Sequence, residues 1–320
     1  MTAAGQAVAA DDRFWEELAL RLPSALKCRC LTKEPLAKHT SWRVGGPAAL
    51  YVYPDDENAV SALLQFCREN MLPHFIIGYG TNLLAHDRGW TGCVIDLANA
   101  CRTLKIEGDT VKAGAGVWLN DLVKTTAESG LQGMEKLAGI PGGLGGGLSM
   151  NCGAFGGAIS DCLTSVKVSE PDGTRRTLGR DEVGFQYRRA PGLVGRVVLG
   201  AGFQMPAAPR AEVVQAMEAT IQERYRRNVM TLPSAGSVFK NPPGNFAAKL
   251  IEAVGAKGTR LGGAEVSTLH ANFIVNARGG TAADIAGLVR HVRQQVWLKH
   301  NIRLELEVRT LGFDDAAELE

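Results

Sequence analysis

Gly139-Ile140-Pro141-Gly142-Gly143-Leu144-Gly145-Gly146-Gly147-Leu148-Ser149-Met150-Asn151-Cys152-Gly153-Ala154-Phe155-Gly156-Gly157 is the stretch on which the reading of this chain turns. Nine of its nineteen residues are glycine. An ordinary helix or strand does not carry that density, because glycine loses much backbone entropy on ordering and packs nothing. A flexible linker is one explanation, but linkers of that kind are polar and repetitive. Here Ile140, Pro141, Leu144, Leu148, Met150 and Phe155 interrupt the run and argue for a fixed course. A fixed glycine backbone can approach a ligand closely and turn bare N–H groups toward phosphate oxygens. The segment reads as a loop that cradles the phosphates of a nucleotide cofactor.

The dinucleotide fingerprint G-x-G-x-x-G/A is not met: Gly78-Tyr79-Gly80 has Leu83 at the third place, and Gly114-Ala115-Gly116 has Leu119. No G-x-x-x-x-G-K-[ST] run occurs, which removes the P-loop nucleotide hydrolases. Three separate glycine turns stand instead. They are Ile76 to Leu84, where a β-run enters a turn, then Ala113 to Val117, then the long segment. Three turns converging on one elongated ligand fit a cofactor such as FAD, with a pyrophosphate at its centre.

Composition narrows the class. The 320 residues suffice for one large or two modest domains, and 45% hydrophobic with 21% charged residues is globular. A net charge of +2 gives no electrostatic case for nucleic acid. No apolar run approaches the ~18 residues of a membrane span. Met1 to Asp12 lacks the basic and apolar regions of a secretory signal. The seven cysteines (28, 30, 67, 93, 101, 152 and 162) are scattered and odd in number, with no C-x-x-C pair. Free thiols in a reducing cytoplasm are expected, with no metal.

Along the chain, helices are predicted over Asp12–Leu22, Asp55–Asn70, Leu119–Glu128, Ala211–Arg227, Phe246–Val254 and Thr281–His300. The last opens with the capping pair Thr281/Asp284. Strands are predicted at Ala49–Tyr53, His74–Ile77, Cys93–Leu97, Val166–Glu170, Thr174–Leu178, Arg196–Phe203, Asn272–Asn276 and Leu304–Thr310. The punctuated run Met205-Pro206-Ala207-Ala208-Pro209 marks a boundary. The resulting division is a lead at 1–38, a first domain at 39–207, a second at 208–313 and a tail at 314–320.

Three constellations lie outside the glycine turns: Phe185-Gln186-Tyr187-Arg188-Arg189, the loop Pro233 to Pro242, and Glu305-Leu306-Glu307-Val308-Arg309. Singly, each has an ordinary explanation: Arg188 a solvated arginine, Ser237 a turn serine, Glu307 a polar strand face. His270 reads as a structural hydrogen-bonding histidine rather than a base.

Taken together, seven pieces in order resemble the UDP-N-acetylenolpyruvoylglucosamine reductase family. They are Thr40 to Gly46, Gly78 to Leu84, Gly139 to Gly157, Tyr187-Arg188, Gly236 to Pro242, Ala264 to Asn276, and Leu304 to Gly312. The resemblance runs from His39 to Phe313. It implies an α+β fold: an FAD-binding domain of the vanillyl-alcohol-oxidase (PCMH) type, built of two α+β subdomains, and a C-terminal α+β substrate domain. Only Arg189 to Arg196 separates Tyr187-Arg188 from the next strand, so the chain resembles the short type without an extra tyrosine-bearing loop. Ala190 stands where the family commonly has Ser. Asn228-Val229 replaces its Gln-Pro, and Cys152 replaces the alanine of Met-Asn-Ala-Gly-Ala.

The resemblance implies non-covalent FAD and NADPH as co-substrate. It also implies reduction of the enolpyruvyl group of UDP-N-acetylglucosamine enolpyruvate to UDP-N-acetylmuramate, for peptidoglycan, by a cytoplasmic monomer. It assigns cofactor contacts to Gly78, Tyr79, Gly80, Thr81, Asn82 and Leu83, and to Gly139, Ile140, Pro141, Gly142, Gly143, Gly146, Asn151, Gly153 and Ala154. Catalytic roles fall to Arg188, Ser237 and Glu307, and substrate contacts to Tyr187, Lys240, Asn241 and Arg309. Further cations for the diphosphate are Arg224, Arg226 and Arg227. A flavin oxidase of another small molecule, or a non-catalytic binder of UDP-sugars, are the rival expectations. Turnover of NADPH with the enolpyruvyl sugar separates all three.

Overall fold

The computed structural model describes residues 11–229, 231–313 and 319. Most of the tail at 314–320 and the first ten residues of the lead therefore lie outside the described residues. The chain divides into two compact units, the first formed by 1–33, 49–78 and 92–223 and the second by 34–48, 79–91 and 224–320. The sequence reading placed 34–48 and 79–91 with the lead and first domain; packing groups them with the C-terminal segment. The reason is visible at Trp42, which is fully buried and donates from Nε1 to the carbonyl of Ile274 at 2.7 Å.

In the first unit a four-stranded sheet runs in the order Cys28–Pro35, Pro47–Pro54, Trp90–Asp96, His74–Ile77. Against it lies the helix Glu57–Glu69, whose Val60, Leu63, Leu64 and Cys67 are buried at the 3–4-residue spacing of one helix face. Asp56 caps that helix, its carboxylate accepting from the N–H groups of Asn58 and Ala59, both at 2.8 Å. A five-stranded antiparallel sheet follows in the order Arg175–Gly179, Leu163–Ser169, Val197–Gln204, Thr110–Gly114, Leu104–Glu107. This is the two-part α+β arrangement expected. Leu50, Val52, Val60, Ile95, Leu122, Val166 and Phe203 belong to one continuous core.

The second unit has its own core of Trp42, Phe239, Ile251, Val266, Ile285, Val289 and Val296. Its antiparallel sheet runs Ser234–Ser237, Phe273–Asn276, Ala264–Val266, Arg260–Leu261. The helix Ala282–His300 opens with the predicted capping box: Thr281 Oγ1 accepts from Asp284 N–H at 3.1 Å, and Asp284 accepts from Thr281 N–H at 2.9 Å. Asp87 accepts from the N–H groups of Ala282 and Ala283 at 2.8 and 2.9 Å, adding a second cap from a distant segment. Among the described residues no helix is long and apolar enough to cross a membrane, and no group of His, Cys, Asp and Glu is placed to hold a metal ion.

Three local expectations change. The glycine stretch is not a continuous loop, since Leu144–Ser149 is helical and Gly153–Ala154 pairs with Gly157–Ala158. Ser234–Ser237, read as part of a loop, is a strand, because Phe273–Asn276 supplies a partner that its own small residues do not advertise. The closing strand is only Arg309–Leu311, parallel to Leu83–Ala85, with Leu306 pairing singly with Phe239. Leu304 and Val308 are both buried, but the backbone between them makes no continuous ladder. The strands Cys28–Pro35, Leu104–Glu107 and Thr110–Gly114 were not anticipated.

Candidate functional site

Within the first unit, two short segments meet. Gly139 has φ +77° and donates its N–H to Asn120 Oδ1 at 2.7 Å. Gly142 has φ +113°, a region side chains rarely enter, and its carbonyl accepts from Leu119 N–H at 2.9 Å. In the helical turn that follows, the three glycines do different jobs. A Cβ on Gly145 would press on Ala115 at 3.0 Å, and one on Gly147 would press on Cys152 Sγ at 3.0 Å. A Cβ on Gly146 would meet nothing within 4 Å. Two glycines are therefore explained by packing, while Gly146 faces open space.

Next comes Asn151, left-handed at φ +42° and buried. Its Nδ2 donates to the carbonyl of Gln186 at 3.0 Å, while its Oδ1 is buried with no partner among the described residues. A buried acceptor of this kind is costly unless a ligand or water supplies a proton donor. Across from it, Gln186 and Arg189 pair around a tight turn that places Tyr187 and Arg188 at its tip. Arg188 is itself left-handed at φ +54°, a conformation rare for arginine. One of its guanidinium nitrogens donates to the carbonyl of Gly153 at 3.0 Å, and the group lies 5.2 Å from the centre of the Tyr187 ring. Two hydrogen bonds, Asn151 to Gln186 and Arg188 to Gly153, thus tie the glycine stretch to the Gln186–Arg189 turn. Gly78 ends the strand-to-turn segment of this unit, with open space at its Cβ position.

In the second unit the turn Tyr79-Gly80-Thr81-Asn82-Leu83 lies beside the C-terminal strand. Gly80 has φ +58°, and any Cβ there would collide with the carbonyl of His39. Its own carbonyl accepts from Ser41 N–H at 3.1 Å. Asn82 donates from Nδ2 to the carbonyl of Glu307 at 3.1 Å, and its carbonyl accepts from Arg309 N–H at 3.0 Å. Leu83 then pairs with Arg309 in the parallel ladder.

Ser237 ends its strand opposite Phe273. Immediately after it, Val238 accepts from Glu307 N–H at 2.8 Å, and Lys240 N–H donates to the carbonyl of Glu305 at 2.9 Å. Ser237, Lys240 and Glu307 are therefore carried on two short segments tied to each other by main-chain bonds. The ammonium of Lys240 pairs with Glu305 at 3.2 Å. Asn241 accepts from Ala247 N–H at 3.0 Å and so caps the helix Ala247–Ala253. His270 accepts on Nδ1 from Asn272 N–H at 3.3 Å, and burial pushes its pKa down, which fits a structural histidine.

Two residues went unnoticed in the sequence. Asn120 holds Gly139, and Asn272 holds the segment after Ser237. Asparagine at the edge of an element is too common a turn and cap residue for either to stand out.

Known proteins resemble this chain along both of its halves. Residues 48–179 match the family model described as FAD binding domain, and residues 227–311 match that of UDP-N-acetylenolpyruvoylglucosamine reductase, C-terminal domain. UDP-N-acetylenolpyruvoylglucosamine reductase of Moorella thermoacetica is 41% identical over 295 residues, covering 92% of this chain and 97% of that protein. The enzyme of the same name from Parasynechococcus marenigrum is 42% identical over 287 residues, covering 88% and 96%. The crystal structure of UDP-N-acetylenolpyruvylglucosamine reductase from Thermus caldophilus superposes with a TM-score of 0.78 at 34% identity, covering 89% of this chain and 99% of that one. Nearly full-length identity of this order, with both halves matched in sequence, settles the relationship: the chain belongs to the UDP-N-acetylenolpyruvoylglucosamine reductase family.

Proposed function

We propose that this chain is an FAD- and NADPH-dependent enzyme that reduces UDP-N-acetylglucosamine enolpyruvate to UDP-N-acetylmuramate, acting in the cytoplasm as a monomer. The observation that carries the reading is the Ser237–Lys240 segment tied through Val238 to Glu307, with Asn82 of the glycine turn bonded to the same Glu307. The residues present fit a flavin nucleotide. Gly146 leaves open space beside a glycine backbone, and the buried Asn151 Oδ1 lacks a donor that a ring N–H or a sugar hydroxyl supplies. Gly78 to Leu83 and Gly139 to Ala154 are the residues that would hold it.

FAD held by Gly78 to Leu83 and Gly139 to Ala154 would supply the hydride carrier between NADPH and C3 of the enolpyruvyl group. Addition of hydride leaves an enolate whose charge spreads onto the carboxylate, and C2 must then be protonated. Arg188 supplies fixed positive charge to that carboxylate. Its left-handed backbone and its bond to Gly153 hold the guanidinium in one place. Ser237 Oγ–H gives the proton at C2, a transfer feasible because the carbon is strongly basic once the enolate has formed. Lys240 stabilises the resulting alkoxide, and Glu307 as a neutral acid shares a proton with a carboxylate oxygen. Tyr187, Asn241, Arg309 and the basic cluster at 224–227 serve the nucleotide half of the substrate.

The test is direct. Purified protein should show visible flavin absorbance and oxidise NADPH only when the enolpyruvyl sugar is added. Oxidation supported by dioxygen alone would indicate a flavin oxidase instead. Light scattering of the pure holoprotein checks the monomer.

A further inference from the structure

Asn272 sits at the start of the strand Phe273–Asn276, 4% exposed, where the ladder with Ser234–Ser237 ends on the Ser237–Phe273 pair. Among the described residues the ladder records no pair beyond that one, and Asn272 serves the chain after Ser237 there. Its main-chain carbonyl accepts from Val238 N–H at 2.8 Å. Its side-chain Oδ1 accepts from Phe239 N–H at 3.0 Å, and its Nδ2 donates to the carbonyl of Phe239 at 2.8 Å. A primary amide presents a donor and an acceptor in one plane, so it matches both main-chain groups of a single residue. Phe239 is 1% exposed, so its main-chain groups have no route to water in place of Asn272.

The consequence reaches both ends of the segment. Ser237 lies two residues before Phe239 and Lys240 one after it, while Val238 bonds Glu307 on the opposite side. We infer that Asn272 is a positioning residue for proton delivery to the substrate, acting through Val238 and Phe239 to fix Ser237. This rests on the reading of Ser237 as the proton donor. A displacement of about 1 Å at a reacting group costs on the order of 10²-fold in rate. Loss of the amide should therefore reach the chemistry without any contact between Asn272 and substrate.

Asn276, at the other end of the same strand, provides the control. It is also buried and also bonds main chain in both directions, donating to Trp42 at 3.0 Å and accepting from Gly280 N–H at 2.7 Å, but away from Ser237. The experiment compares full-length holoenzyme carrying Asn272→Ala, Asn276→Ala, Ser237→Ala and the Ser237→Ala/Asn272→Ala pair. Flavin reduction by NADPH and flavin reoxidation by the enolpyruvyl sugar are followed separately by stopped flow, and amide hydrogen exchange is followed across 237–240. Asn272→Ala should slow reoxidation by about 10- to 100-fold, leave reduction unchanged and speed exchange at 238 and 239. In the pair it should add nothing to Ser237→Ala. Asn276→Ala should lower the melting temperature and leave both half-reactions unchanged. Equal slowing of both halves, a multiplicative effect in the pair, or unchanged exchange would overturn the inference. Where Asn272→Ala does not fold, Asn272→Asp keeps the acceptor toward Phe239 N–H, loses the donor, and must show the same selective slowing. Should Ser237→Ala alone leave reoxidation intact, the reading of Ser237 fails first and takes this inference with it.

Discussion

Asn82 and Glu307, 225 residues apart, are joined by a 3.1 Å hydrogen bond from the Asn82 side-chain amide to the Glu307 carbonyl. The returning bond from Arg309 N–H to the Asn82 carbonyl closes a ring that brings a glycine turn assigned to the cofactor beside a strand assigned to the substrate. Asn82→Ala removes the side-chain bond and should cost about 1 kcal/mol, a few degrees of melting temperature for a chain of this size. It should also weaken flavin binding and slow substrate reduction together. Calorimetry and flavin titration check this, and an effect on neither would separate the turn from the site.

Ser237 and Arg188 should part company in the half-reactions. Ser237→Ala should leave flavin reduction by NADPH nearly intact and slow reoxidation by the enolpyruvyl sugar about 10²-fold or more, the range for a lost general acid. Arg188→Ala should slow the same half-reaction and also raise the substrate concentration needed for half-saturation, because in the proposed mechanism the guanidinium serves both carboxylate and enolate. Stopped-flow absorbance resolves the two. Equal slowing of both halves by Ser237→Ala would reduce the serine to a structural part.

Gly146 offers a cleaner probe of the cradle than Gly142. Gly142→Val forces a side chain into φ +113° and strains the backbone whether or not a ligand binds. Gly146→Val puts its side chain into open space, so the protein should fold with its melting temperature changed little and lose flavin. Retention of stoichiometric flavin by purified Gly146→Val would show that the space is not used.

Flavin should be held non-covalently. Cys152 Sγ lies against Gly147 rather than standing alone in an open space, and none of the seven cysteines is in a disulfide. Acid precipitation should leave the yellow colour in the supernatant. A yellow pellet that turns colourless in Cys152→Ala would prove a thioether.

Acid sensitivity should trace in part to Asp284. Hydrogen bonds from the N–H groups of Thr281 and Gly263 and from the Thr281 hydroxyl hold its pKa below the usual aspartate value. Because the folded pKa is depressed, its contribution is fully present above the unfolded value near ~4 and is lost as pH falls through the folded value. Asp284→Asn should cost about 0.5 kcal/mol at pH 7 and show a shallower loss of stability on acidification. Denaturant melts at pH 7 and pH 3 measure the difference.

Local rules carried the sequence a long way. Helical spacing of Val60, Leu63, Leu64 and Cys67, and the Thr281/Asp284 cap, fixed two helices, because those signals depend on neighbours three or four residues away. The family followed from motifs in order along the chain. The glycine run announced an unusual backbone, but density alone did not separate Gly145 and Gly147, which packing requires, from Gly146, which it does not. That distinction needs to know that Ala115 and Cys152 come within contact, a tertiary fact. Ser234–Ser237 became a strand only through Phe273–Asn276. The segments 34–48 and 79–91 joined the C-terminal unit only through bonds such as Trp42 to Ile274. Hydrogen bonds between residues 33 or 225 positions apart, as from Asn272 to Phe239 and from Asn82 to Glu307, leave no periodicity to read in the sequence.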